Sequence, residues 1–125
     1  VVAPTKTIVA AMKVRHPGVP IIGFPRGAGM RAFGYVQETG VDGVGCDTAM
    51  PLEGIRSALS GKTVVQGNLD PLLLVAGGEA MATRAREIIS VLGSNPFIFN
   101  LGHGIVPETP PENVARLVSI VREGR

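Results

Sequence analysis

Four short stretches concentrate the side chains able to do chemistry. Gly102-His103-Gly104 holds an imidazole between two residues without side chains. Imidazole gives or accepts a proton near neutral pH, and the glycines let a ligand approach closely and permit positive φ angles. The same tripeptide fits a tight turn whose histidine bonds a neighbouring carbonyl. Gln66-Gly67-Asn68-Leu69-Asp70-Pro71 offers amides and backbone N–H groups at a helix start, where an anion can be held or a polar group oriented. Asp70 as a helix cap and Asn68 as a turn former explain those residues structurally. Arg26 lies in Arg26-Gly27-Ala28-Gly29, where a guanidinium can grip a carboxylate through two parallel bonds or stand solvated. That run matches neither the dinucleotide nor the Walker pattern, so it is not a nucleotide loop. Asp47 can bond a substrate N–H, orient His103, or cap a helix. Cys46 reads as a small buried residue rather than a nucleophile, and His16, beside Pro17, as a solvent-facing helix end.

These stretches follow segments that must be strands. The pattern predicts a helix over Thr5–Arg15, with Ile8, Val9 and Met12 on one side, closed by His16-Pro17-Gly18. Val19–Phe24 reads as a strand, Ala28–Glu38 as a helix stopping at Gly40, and Val41–Cys46 as the next strand. Asp47 or Thr48 then caps a short helix with Leu52, Ile55 and Leu59 inward. Thr63–Gln66 is a strand, Asp70-Pro71 opens a helical run broken at Gly77-Gly78, and Met81, Ala85, Ile88, Ile89 and Leu92 form a long stripe. Phe97–Asn100 is the last strand, and Thr109-Pro110-Pro111-Glu112 is a capping box before Val114, Leu117, Val118 and Val121. A helix followed by four strand-helix units calls for a parallel α/β arrangement. Such units suit half of a (β/α)8 barrel or an open doubly wound sheet, and both place ligands at the C-terminal ends of the strands.

Composition agrees with one domain of 125 residues. Hydrophobic residues are 45% but aromatics only 4%, so aliphatic side chains fill the interior, as in a buried parallel sheet. The charge of +2 is spread along the chain without interleaved aromatics, which argues against nucleic acid and suits a small polyanion. A lone cysteine allows no intrachain disulfide and no zinc site without His and carboxylate partners, which fits a reducing, cytoplasmic setting. No apolar run reaches the roughly 18 residues of a membrane span, and Lys6 interrupts the apolar start, so a soluble chain without a signal peptide is expected. Its beginning without Met, inside an amphipathic segment, suggests an upstream portion.

Pro20-Ile21-Ile22-Gly23-Phe24 with Arg26-Gly27, Val44-Gly45-Cys46-Asp47, Val65-Gln66-Gly67-Asn68-Leu69-Asp70-Pro71 and Phe99-Asn100-Leu101-Gly102-His103-Gly104-Ile105 resemble, in order and spacing, the C-terminal part of the uroporphyrinogen decarboxylase family. The resemblance covers essentially the whole chain. It implies that residues 1–125 form the C-terminal half of a TIM-type barrel from a homodimeric, cofactor-free and metal-free carboxy-lyase. That enzyme converts the four acetate side chains of uroporphyrinogen III to the methyls of coproporphyrinogen III on the way to heme and chlorophyll. It also implies that His103 is the active-site histidine, contacting a substrate carboxylate or helping in proton transfer; Arg26, Asp47, Asn68, Gly102 and Gly104, gathered after the strands, are the expected substrate-binding residues. The family's principal substrate-binding arginines, the aspartate for the pyrrole N–H groups and the active-site tyrosine belong to the N-terminal half, so this chain alone is expected to be inactive. Where the family often has Leu-Asp-Trp, this chain has Cys46-Asp47-Thr48. Two alternatives share the pattern. A zinc- and corrinoid-dependent methyltransferase would carry a His-x-Cys pair after the first strand, where Phe24-Pro25-Arg26 stands. A non-catalytic half-barrel would associate through its open edges.

Overall fold

The computed structural model describes residues 1–124. Helix α1 (Val2–Arg15) leads into β1 (Ile22–Gly23), a 3-10 turn (Gly29–Arg31), α2 (Ala32–Thr39), β2 (Gly43–Gly45), α3 (Leu52–Ala58), β3 (Val64–Leu69), α4 (Pro71–Ala76), α5 (Gly78–Leu92), β4 (Phe97–Leu101) and α6 (Pro111–Glu123). All three strand pairings are parallel and the order is β1-β2-β3-β4. A doubly wound sheet reverses direction partway. Strictly sequential order with right-handed crossovers instead puts every helix on one face, the winding of a (β/α)8 barrel. The α/β expectation of about half such a barrel therefore stands.

Local chemistry accounts for most boundaries. Asp70 caps α4, its carboxylate accepting the Leu72 N–H at 2.8 Å, and Pro71 fills the first turn. Gly77-Gly78 separates α4 from α5 as expected. In α5, Met81, Ala85 and Ile88 are wholly buried against the sheet with Val44 and Val65. Burying each of the larger of these side chains, Ala85 excepted, contributes roughly 1.5–3 kcal/mol. Asp42 joins α1 to the sheet: Lys13 Nζ and the Ile21 N–H each donate to its carboxylate at 2.8 Å. The Lys13 bond first, and the Ile21 bond second, hold its carboxyl below the usual range.

Several sequence expectations fail for stated reasons. Thr109 caps nothing: Pro110 occupies the N-cap position of α6 without a side-chain bond, and Thr109 Oγ1 is buried without a partner among the described residues. Pro51, not Asp47 or Thr48, precedes α3, because Asp47 bonds a different loop. The α1 stripe is largely outside the core; Val9 is buried, but Ile8 is 62% exposed and Met12 42%. On α6, Leu117 and Ile120 are buried while Val118 is exposed. The first strand is only two residues long, and β3 continues through Asn68 to Leu69 instead of ending at Gln66.

The face opposite the helices is open. A Cβ on Gly43 would meet Ile22 and Val64, and one on Gly45 would meet Phe24, so these residues share that face. Gln66 lies opposite Ile98 in the register and continues it. Ile22, Phe24 and Ile98 are each more than 40% exposed there. Strands β1 and β4 also have one unpaired edge each. Apolar surface and unpaired edges favour association, so the isolated 125-residue chain is expected to sediment as oligomers or aggregates. A stable monomer across the micromolar range would contradict this.

Candidate active-site rim

The residues singled out above fall on one rim, at the C-terminal ends of the four parallel strands. Within it they divide into two kinds. Asp47 and Asn68 are buried, at 8% and 2% exposure, whereas Arg26 and His103 are exposed.

Asp47 follows β2 and bonds the loop after β1. Its Oδ2 accepts the Gly27 N–H at 2.8 Å and its Oδ1 accepts the Ala49 N–H at 3.1 Å. A carboxylate shielded from water needs such donors to offset its desolvation. Asn68, near the end of β3, donates from Nδ2 to the carbonyls of Met50 at 2.9 Å and Asp47 at 3.3 Å. Its Oδ1 is buried without a partner among the described residues. Asn68 therefore ties the β2 loop to β3, and Asp47 ties the same loop to β1.

The loop after β4 closes on the same point. A Cβ on Gly102 would lie 2.5 Å from the Thr48 nitrogen, so the backbone contact itself requires glycine. The positive φ anticipated for Gly102 and Gly104 is not found at either residue, and a Cβ on Gly104 would meet nothing. Gly104 thus leaves open space beside His103. Gly27, by contrast, turns with φ 72° and brings its N–H to Asp47. Arg26, next to it, makes no ion pair among the described residues.

His103 borders a cavity of about 760 Å³ that also includes Phe24, Cys46, Gln66, Asn100 and Ile105 and extends along α6. Arg26 is not among its lining residues. In the sequence, Gln66 stands only within a stretch whose amides can hold an anion, and Asn100 and Phe24 stand within motifs without a role. The available signal was a polar residue amid apolar neighbours in a strand, at positions alternating toward the open face. Among the described residues no group of three or more His, Cys, Asp or Glu side chains is arranged to hold a metal ion, and no helix is long and apolar enough to cross a membrane.

Cys46 is buried at the end of β2, as expected of a small core residue. Burial first, and the charge of Asp47 second, push its thiol from 9.0 up to about 12. The unfolded chain releases this proton through a window where the folded chain retains it. Stability from this group is therefore complete below pH 9.0 and declines as pH rises toward about 12. The thiolate is the reactive form, so iodoacetamide at about pH 8 should label Cys46 only after denaturation; rapid native labelling, read by intact mass, would contradict the burial. Replacing Asn68 with Ala strands two buried carbonyls and opens a void. Thermal or denaturant unfolding should show a loss of about 1–3 kcal/mol.

The family model described as "Uroporphyrinogen decarboxylase (URO-D)" matches residues 1–124. A protein named uroporphyrinogen decarboxylase from Rhodospirillum rubrum is 53% identical over 125 residues, covering 100% of this chain and 36% of that protein. Proteins of the same name from Granulibacter bethesdensis and Gluconacetobacter diazotrophicus are each 52% identical over 98% of this chain, covering 36% and 35% of their lengths. The chain thus spans about a third of the length of these relatives, by their 36% coverage. With identity near one half over essentially its whole length and a family model that matches residues 1–124, the chain belongs to the uroporphyrinogen decarboxylase family.

Proposed function

We propose that residues 1–125 are the C-terminal half-barrel of a uroporphyrinogen decarboxylase and supply one wall of its active site. The reaction removes the four acetate carboxyls of uroporphyrinogen III as carbon dioxide, giving coproporphyrinogen III in tetrapyrrole synthesis. Protonation of a pyrrole carbon makes a cationic ring. When the bond to the carboxyl carbon breaks, its electron pair enters that ring, and carbon dioxide leaves. The exocyclic methylene left behind takes a proton to become the methyl group, and the ring carbon gives up the proton it first accepted, so one proton is consumed for each carboxyl lost. The substrate is its own electron sink, so this route asks for no organic cofactor or metal. The protein must bind an octa-acid, deliver protons and stabilise the cation.

His103 carries the reading. It stands on an exposed loop at the C-terminal end of β4, with open space at Gly104 and a cavity beside it. In this position it bonds a substrate carboxylate or relays a proton. Arg26, exposed and unpaired among the described residues, meets another carboxylate at the edge of the mouth. Asp47 and Asn68 serve the substrate by holding the loops that present Arg26 and the β2 end. Gly102 admits the β4 loop against Thr48. The working form is a cytoplasmic homodimer.

In the full-length protein that carries this chain, His103→Asn should reduce kcat/KM for coproporphyrinogen formation by about tenfold or more, the value of a hydrogen bond to a charged group. Product chromatography after anaerobic incubation with uroporphyrinogen measures it. Unchanged kcat/KM would remove His103 from the site, and no decarboxylation by the unaltered protein would overturn the reading itself.

A further inference from the structure

We infer that Gln66 and Asn100 are substrate contacts, two uncharged amides on the open face of the sheet that hold a carboxylate arm beside His103. This rests on the proposed polycarboxylate substrate and extends the site from the rim down the sheet. Both residues line the cavity that His103 borders. Gln66 pairs with Ile98, and Asn100 lies two positions further along β4, so the two amides are diagonal neighbours on adjacent strands. At this spacing both reach one ligand group.

Their hydrogen bonding distinguishes them from structural amides. Asn68 donates to two carbonyls from the same strand as Gln66 and is buried. Gln66, half-buried, makes no side-chain hydrogen bond among the described residues. Asn100 accepts the Leu101 N–H through Oδ1 at 2.9 Å, which fixes the amide and leaves Nδ2 as a free donor. Gln66 is therefore uncommitted, and Asn100 is held in place with its Nδ2 donor unused among the described residues.

The surroundings indicate what they hold. Phe24 lies across Gly45, where a Cβ would come within 2.8 Å of its ring, and Gly43 leaves the β2 surface without side chains. The result is a shallow apolar hollow, walled by Phe24 and flanked by Gln66, that fits a flat ring face. Amide donors beside such a hollow satisfy a carboxylate arm without adding a positive charge. That matters for this reaction, because a fixed cation against the ring would oppose the cation formed on protonation. Arg26 is outside the cavity lining, so it is left to meet a different arm.

The test uses the full-length protein that carries this chain, with Gln66→Leu, Gln66→Glu and Asn100→Leu. KM for uroporphyrinogen should rise about tenfold or more in the two leucine variants, with the larger effect in Gln66→Glu, where the new carboxylate repels the substrate. The change falls on KM rather than kcat, since a non-reacting arm is held equally in ground and transition states. Because Gln66 makes no internal side-chain bond, unfolding temperature should stay unchanged in Gln66→Leu, separating binding from folding. KM within twofold of the unaltered protein in all three variants would overturn the inference. A second measurement is quenching of the fluorescence of uroporphyrin, the oxidised octacarboxylate, on binding. If the unaltered protein binds uroporphyrin but decarboxylates nothing, the proposed function falls, while weaker binding by Gln66→Glu still sustains the contact. Equal binding by Gln66→Glu, or none by the unaltered protein, overturns it.

Discussion

A carboxylate removed from water has to be bonded by something, and the rim is organised around the way Asp47 meets that demand. Among the described residues no cation bonds it; its oxygens accept the N–H groups of Gly27 and Ala49. Because Gly27 belongs to the loop after β1, neutralising the desolvation of Asp47 also sets that loop's path, and with it the position of Arg26. Asn68 extends the tie by donating to the Asp47 and Met50 carbonyls, and Gly102 brings the β4 loop against Thr48. One segment, Asp47 to Met50, buried at both ends, therefore collects bonds or contacts from all the other strand ends. Loops without regular pairing are ordinarily the mobile parts of a fold; here their shared anchor makes them a single preorganised surface.

The second constraint is the winding of the sheet. Sequential parallel order places the helices on one side, and the core forms there, from Val44 and Val65 to Met81 and Ile88. The other side carries Ile22, Phe24 and Ile98 beside the bare backbone of Gly43 and Gly45. In a closed barrel that side is the interior, where apolar and polar residues fill or line a central space. The same arrangement that leaves this chain with an open apolar face gives its site a concave wall. Fold and function thus draw on one feature: the small residues of β2, which let Phe24 lie down and keep the surface hollow.

Much of this was legible in the chain itself. Asp70-Pro71 started a helix, Gly77-Gly78 broke one, and the stripe from Met81 to Leu92 found the core, because caps, turns and helical periodicity act over a few neighbouring residues. Errors arose where distant partners decided. Asp47 left its expected helix for Gly27, and Ile8 and Met12 had no sheet to cover them. Gln66 and Asn100 were visible as residues, but their importance depends on which face of the sheet is open.

The sequence by itself determined the strand-helix order, the parallel connectivity that short crossovers impose, and the gathering of glycine, amide, imidazole and guanidinium groups after the strands. It also carried the family pattern. Only the tertiary structure decided which of these groups are held internally and which remain free: Asp47 and Asn68 bond the loops, while His103, Arg26, Gln66 and Asn100 face outward or into the cavity. The reason is physical. Propensity and periodicity are local, whereas burial and hydrogen-bond satisfaction depend on residues some twenty positions away, the separation of Gly27 from Asp47, brought together only when the strands align.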